Sequence, residues 1–376
     1  MLESIFITGL YRSGTTLLEK LIHNHPKCFV ASQPFPKLYL KIKKQFLASK
    51  DTFSRLPLND LFKNNTVFEF TKYLEETTIS KKKIEEILLG IGIKSKVGNS
   101  NTEKINLRIS EGDFYDLYKE INFQLSKSIK KESIIKGSKE IFCEEFIPYF
   151  LSKGIKVILV IRDPRDIITS LNFGKGSVFT GDVRPTLFNI RNWRKSVAFA
   201  LNYQNHKNFF FIKYEDLVLN STRVLNEICQ FLNVDNFKES FTQNRLKDQN
   251  GDVWTGNSSH NDKKDIIFSN SINRYKEFLD EKTIHYIETT CFPELNYLDY
   301  KYSVKTKNYK NIILNYKEPF EIKRKEFKNN YSVNQNHKKE EIKRLELLKQ
   351  PSNKKIINDW FIFNQTYVEL VQKINF

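Results

Sequence analysis

Gly9 and Gly14, with four residues between them, separate the apolar run Ile5-Phe6-Ile7-Thr8 from Thr15-Thr16-Leu17-Leu18. This is the spacing of a phosphate-cradling loop, G-x-x-x-x-G-K-[ST], which points backbone N–H groups and a helix N-terminus at an anion. One position departs from it. Thr15 stands where a nucleotide triphosphatase places the lysine that reaches the β- and γ-phosphates. The cation inside the loop is Arg12 instead, so the anion need not be a triphosphate. A second polar group is Arg162-Asp163-Pro164-Arg165-Asp166 with Ser170, following the apolar run Val157–Ile161. An arginine at the end of a core strand faces the ligand side of a sheet, and Ser170 lies about two turns into the next helix. A guanidinium fork and a hydroxyl so placed can grip one phosphate. The alternative is an arginine paired with Asp163 or Asp166 at the helix start.

Both groups need a scaffold that brings strand ends together. Apolar or β-branched runs at 4–9, 28–31, 157–161 and 209–212 read as strands, and residues 134–140 as a short strand and a polar turn. Helical spacing follows them at 15–24, 113–128, 142–152, 163–172, 187–201 and 221–232, the last capped by Ser221. Strand and helix in alternation predict parallel strands with crossover helices, an α/β fold with ligands at the carboxyl ends of the strands. Residues 37–108 read as a helical insertion, with helices at 38–47 and 68–89 and an exposed loop at 90–103, a natural place for acceptor recognition. Beyond Tyr300 the chain turns rich in Lys and Asn, with helices expected at 340–349 and 355–373. The expected division is therefore an α/β domain at 1–300 and a C-terminal extension at 301–376.

The 376 residues carry 61 Lys+Arg against 44 Asp+Glu, a net charge of +17, and residues 301–376 hold 17 of the former and 8 of the latter. A lysine-rich solvated surface accounts for much of this, and a positive cleft would attract anionic ligands. No nucleic-acid-binding motif accompanies the charge, so no nucleic acid is expected. Cys28, Cys143, Cys229 and Cys291 form no C-x-x-C pair, which predicts free thiols in a reducing compartment, the cytoplasm. No apolar run is long enough to span a membrane, and the first one lacks the basic leader of a signal peptide.

Four ordered stretches resemble the sulfotransferase family that uses 3′-phosphoadenosine-5′-phosphosulfate (PAPS). They are Tyr11-Arg12-Ser13-Gly14-Thr15-Thr16-Leu17, Arg162-Asp163-Pro164-Arg165-Asp166 with Ser170, Phe211-Ile212-Lys213-Tyr214-Glu215-Asp216-Leu217, and Ser269 through Ser271 and Arg274 to Leu279. Together they span roughly residues 1–300. The resemblance implies a P-loop-like three-layer α/β/α domain around a parallel sheet. It implies that Arg12, Ser13, Gly14, Thr15 and Thr16 bind the 5′-phosphosulfate and that Arg162 and Ser170 bind the 3′-phosphate. Tyr214, Ser271 and Arg274 would then lie near the adenosine or the 3′-phosphate. It further implies sulfuryl transfer to a hydroxyl or amine of a small-molecule or carbohydrate acceptor, without a metal. Trp254-Thr255-Gly256-Asn257-Ser258-Ser259-His260 would suit a loop over the cofactor.

The base departs from the family pattern. Where related protein-tyrosine sulfotransferases carry a glutamate, this chain has Ser32-Gln33. Where small-molecule sulfotransferases carry a lysine and a histidine, it has Lys136-Gly137-Ser138-Lys139-Glu140. Glu140 is the first candidate base, with Glu111 and Asp113 behind it. Lys139, or failing it Lys136, is the candidate cation at the leaving oxygen. His23 reads as structural. Two alternatives remain: a P-loop kinase or NTPase, and a non-catalytic module that keeps the nucleotide pocket.

Overall fold

The computed structural model describes residues 3–34, 36–50, 64–80, 82, 84, 110–174, 183–237, 245–254, 271–304, 306–322, 325, 328, 333–349 and 354–374. Strands β1 (Glu3–Gly9) and β2 (Cys28–Ser32) precede a two-residue antiparallel pair, β3 (Thr78–Ile79) and β4 (Gly112–Asp113). Strands β5 (Ile135–Lys139), β6 (Lys156–Ile161) and β7 (Phe209–Lys213) follow. β1, β2, β5, β6 and β7 form one parallel sheet in the order β2-β5-β1-β6-β7. β1 therefore lies between β5 and β6: the chain leaves it for β2 on one side and later crosses from β5 to β6 on the other. Its carboxyl end is the switch point at which such sheets bind ligands. β1 and β5 pack closely because Gly137 lacks a side chain: a Cβ there would stand 1.8 Å from the Ile5 carbonyl oxygen.

The period-two alternation of the strands sorts the core into two layers. Ile5 and Ile7 of β1, with Ile158 and Val160 of β6, meet Leu18, Leu21 and Ile22 of the helix Thr15–His23. Phe6 points the other way, with its ring 4.4 Å from Phe150 and 6.2 Å from Tyr118. On that side, with Val157 and Leu159, lie the helices Pro36–Ala48, Phe114–Ile129 and Thr186–Tyr203. Each large apolar side chain so buried contributes roughly 1.5–3 kcal/mol. The result is the expected three-layer α/β/α arrangement.

The residues beyond 300 share this second core. Leu345, Leu348, Ile357, Phe361, Phe363, Tyr367 and Leu370 belong to the same buried cluster as Phe6 and Trp193. Ion pairs tie them down: Arg191 Nε lies 2.6 Å from Glu341, Arg194 Nη1 2.6 Å from Glu341, and Arg344 pairs with Glu294. The expected helix at 355–373 is two, Lys354–Trp360 and Asn364–Lys373. The chain breaks between them where Phe361 and Phe363 both turn inward, which a single straight helix does not allow. The helix expected at 340–349 begins earlier, at Gln335. Ser221 opens its helix rather than capping it; Asn220 holds the cap position and no side chain closes it. The helix expected at 68–89 runs Asn64–Glu76 and gives way to β3. The loop expected at 90–103, residues 255–260, and Ser269 with Asn270 lie outside the described residues.

Candidate active site

Four strand ends meet at one edge of the sheet, and each carries a group singled out above. β1 runs into the loop Leu10–Gly14, and the helix Thr15–His23 starts directly after it. Gly14 caps that helix with φ 98°, a left-handed conformation that glycine adopts without strain. No side chain caps the helix and no acid lies in its first turn. Its first N–H groups lack intrahelical partners and carry the positive end of the helix dipole, so an external anion suits this end. Ser13 packs downward instead. Its Oγ is buried, makes no hydrogen bond, and lies under the position that a Cβ at Gly9 would occupy, while its N–H donates to the Leu10 carbonyl (3.1 Å). Thr15 is buried and Thr16 half-buried.

Tyr214 opens the helix after β7, and its ring lies against Gly14. A Cβ at Gly14 would stand 2.1 Å from the ring carbon Cδ2. The glycine is thus required both by its φ and by its neighbour. The Arg162 guanidinium lies over the same ring, 4.6 Å from its centre, and the Tyr214 hydroxyl is 2.7 Å from Ser271 Oγ.

Arg162 emerges from β6. Its Nη1 donates to the Arg12 carbonyl (3.0 Å) and its Nη2 to the Ser271 carbonyl (2.6 Å), while its buried Nε has no hydrogen-bond partner. Trp193 Nε1 donates to the Arg162 carbonyl (2.8 Å) and fixes the strand end. Arg162 does not pair with the acids beside it. Arg165 takes Asp163, at 2.6 Å, and Glu288. Asp166 accepts the N–H groups of Asn273 (2.8 Å) and Tyr275 (3.0 Å), which holds the Ser271–Arg274 segment against the site. Arg12, in the left-handed region at φ 65°, reaches across to Ser170: Nε donates to Oγ at 2.9 Å. Burial, and then the charge of Arg162, pull the Arg12 guanidinium down to about 10. Two neighbouring cations, Arg162 buried and Arg12 half-buried with the Ser170 hydroxyl at its Nε, are electrostatically suited to an anion. Arg12 thus joins Ser170 on the Arg162 side of the loop. Arg274 has its guanidinium 5.9 Å from the centre of the Phe278 ring.

Lys139 ends β5. Its Nζ lies 3.4 Å from Thr16 Oγ1 and 3.1 Å from Gln33 Oε1, fully buried. Burial pulls its ammonium down from the usual lysine range, and the charges of Glu19 and Glu140 act to restore it. Glu140 is the next residue and lies on the other face of the sheet. Its N–H donates to the Ile7 carbonyl (2.9 Å), and its side chain is 1% exposed. Burial, and then Glu140, push the Tyr39 phenol well up, and Tyr118 feels it too.

The fallback residues lie elsewhere. Lys136 sits over Phe123, at the amino end of β5. Glu111 shares a groove there with Glu3 and Ser4. Asp113 caps the helix Phe114–Ile129 through the Asp116 N–H (2.8 Å). His23 accepts the Val30 N–H, and burial, with Lys130 adding to it, pulls its imidazole down to about 4, so it is neutral and structural. Sequence reading passed over Glu19, Gln249, Trp193 and Asp166 as site residues. Only Asp166, inside a motif already quoted, carried a local signal.

A switch-point loop at a helix N-terminus, arginines at a neighbouring strand end and a buried lysine at another define a P-loop-like anion-binding α/β protein. A model of the sulfotransferase domain matches residues 2–299, and the chain belongs to the sulfotransferase family. This sets aside the P-loop kinase alternative. Mouse (Mus musculus) sulfotransferase 2B1 is 31% identical over 110 residues, covering 24% of this chain and 30% of that one, so the match spans under a third of that relative's length. Two solved structures superpose distantly. A sulfotransferase domain from the curacin biosynthetic pathway is 17% identical, with TM-score 0.44, covering 81% of this chain and 99% of the other. Retinol dehydratase in complex with androsterone and the inactive cofactor PAP is 15% identical, with TM-score 0.35, covering 81% and 83%.

Proposed function

We propose that the chain is a PAPS-dependent sulfotransferase acting on a hydroxyl or amine of a small-molecule or carbohydrate acceptor. One observation carries the reading. The Gly9–Thr16 loop, Lys139, Arg162 and Tyr214 converge at the carboxyl ends of β1, β5, β6 and β7, within the stretch that matches the family. The residues present fit the donor: an uncapped helix N-terminus and a buried Arg162 Nε without a hydrogen-bond partner await anionic oxygen, and the Arg12 guanidinium adds its charge beside them. Bound PAPS would supply the sulfuryl group, which leaves its bridging oxygen for an acceptor oxygen or nitrogen.

The chain's own residues divide the work. Gly14, Thr15 and Thr16 would hold the 5′-phosphosulfate by N–H groups and hydroxyls, with Ser13 supporting the loop from below. Arg12, Arg162 and Ser170 would hold the 3′-phosphate, and Tyr214, Ser271 and Arg274 would border the nucleoside. Lys139, beside Thr16, would carry the charge that steadies the leaving oxygen. Glu140 would take the acceptor proton from the face of Tyr39 and Tyr118. The reading assigns no task to a metal, because fixed donors and cations already meet the charge. Its four cysteines are free and buried, in keeping with a reducing compartment, the cytoplasm.

Thermal denaturation tests the donor, since binding to the folded state raises stability by mass action. 3′,5′-Adenosine bisphosphate should raise the Tm and Mg-ATP should not; the reverse pattern overturns the reading. Incubation with ³⁵S-labelled PAPS and pooled metabolites or glycans tests transfer. Tight bisphosphate binding without any labelled product would identify a non-catalytic nucleotide module instead.

A further inference from the structure

Beneath the loop lies an acid that the roles above do not use. Glu19, one turn into the helix Thr15–His23, is 0% exposed. An ionised carboxylate is costly in such a place unless it is paired and hydrogen-bonded. Its Oε1 is engaged twice, by Lys20 Nζ at 3.0 Å and by Gln249 Nε2 at 2.5 Å. Gln249 is held in turn, donating to the Val30 carbonyl (2.7 Å) and accepting from Lys20 Nζ (2.5 Å). Oε2 makes no hydrogen bond and lies 3.9 Å from Lys139 Nζ. The other two neighbours of that ammonium, Thr16 Oγ1 and Gln33 Oε1, are neutral.

We propose that Glu19 is the positioning residue of the sulfuryl-binding end: fixed by Gln249 and Lys20, it keeps Lys139 charged and seated beside Thr16. This rests on the reading of the loop as a phosphosulfate site. The surroundings set the direction of the effect. Lys139 is faced by Glu19 and Lys20 from the helix and by Glu140 from its own strand. Glu19 is faced by Lys20 and Lys139, whose charges hold it below the usual carboxylate range against the opposing effect of burial; His23 nearby is neutral. Once Glu19 loses its charge, burial and Lys20 both oppose the Lys139 proton, and Glu140 alone favours it. Lys139 must then deprotonate at a lower pH.

Calorimetric titration of 3′,5′-adenosine bisphosphate into the full chain, from about pH 7 to 9, tests this without an acceptor. The wild type sets the reference profile, and loss of the Glu19 charge should move the alkaline fall in affinity to lower pH. Glu19→Gln should match it at the acid end and weaken by roughly tenfold or more at the alkaline end. Lys139→Gln should bind weakly and without pH dependence, and the double variant should equal Lys139→Gln. A Glu19→Gln protein that tracks the wild type at every pH overturns the proposal. A wild type that binds no bisphosphate overturns the site reading itself and the proposal with it. Should circular dichroism show Glu19→Gln unfolded, Glu19→Asp takes its place, because its shorter carboxylate retracts from Lys139. The alkaline weakening must then persist at reduced size, and its absence overturns the proposal.

Discussion

Arg162 Nη1 donates a hydrogen bond to the backbone carbonyl of Arg12 at 3.0 Å, so the cation at the end of β6 shapes the loop at the end of β1. Its second nitrogen does the same for Ser271. One guanidinium fork thus joins three segments far apart in sequence. Arg162→Ala removes both links and a charge, and should weaken 3′,5′-adenosine bisphosphate binding roughly tenfold to hundredfold. Arg162→Lys should recover little, because an ammonium cannot span both carbonyls. Titration calorimetry at one pH checks both; wild-type affinity in Arg162→Ala would remove this residue from the nucleotide site.

Gly14→Ala meets two obstacles at once, a left-handed φ and the Tyr214 ring. The backbone alone should lower stability by about 1–3 kcal/mol. The displaced ring should also loosen nucleotide binding. Denaturant unfolding and bisphosphate titration of the same sample test the two effects; an unchanged midpoint would refute the backbone cost, and unchanged affinity would show that the ring moves aside freely.

Glu215 accepts the Asp163 N–H (2.9 Å) and the Tyr300 hydroxyl (2.8 Å), and burial, with Asp163 adding to it, pushes its carboxyl up to about 7. A carboxyl raised in the fold binds its proton more tightly there than in the unfolded chain. Its stabilising contribution is complete below the ordinary glutamate range and is lost as pH rises through about 7. Glu215→Gln can keep both contacts, since the Tyr300 hydroxyl can turn to accept. It should be more stable than the wild type at pH 8, on the order of 1 kcal/mol after allowing for partial exposure, and equal to it or weaker near pH 4. Thermal melts across that range decide it, and parallel curves would refute the assignment.

Glu140→Gln should bind bisphosphate as the wild type does and transfer labelled sulfuryl at least about a hundredfold more slowly. Wild-type rates would move the base role to another group.

Glu341→Ala takes the paired acid from Arg194, 5% exposed in the core, and leaves Arg191 with Glu340, whose carboxylate is partly open to solvent. Loss of about 3–5 kcal/mol is expected, read by urea unfolding. A change below 1 kcal/mol would mean that water reaches these arginines.

Most of the sheet was legible because β1, β2, β6 and β7 are short, largely apolar runs, as at Val157–Ile161 before Arg162, whereas β5, Ile135-Lys136-Gly137-Ser138-Lys139, extends through residues whose polarity suggests a turn. The anion loop was legible because its parts are neighbours in sequence. Glu19 was not: it looks like any glutamate on an amphipathic helix, and only the sheet brings Lys139 beside it, with a glutamine 230 positions on closing the group. The opposed faces of Lys139 and Glu140 follow from strand alternation, yet their consequence appears only once both layers are filled. The break at Phe361–Phe363 escaped for a similar reason, since tertiary burial overrode a continuous helical pattern.

The pairing of Arg191 with Glu341 also sets an order of events during synthesis. The two are 150 positions apart. At about 5–20 residues per second, roughly 8 to 30 seconds separate their appearance. Through that interval the helix Thr186–Tyr203 carries cations without their acid, and its inner face cannot close. The nucleotide loop is made first, but the layer that backs it through Trp193 is sealed only when residues near 341–370 arrive. A ribosome stalled before them would present the outer side of the helix Thr186–Tyr203 still open to water, a species that chaperones would recognise.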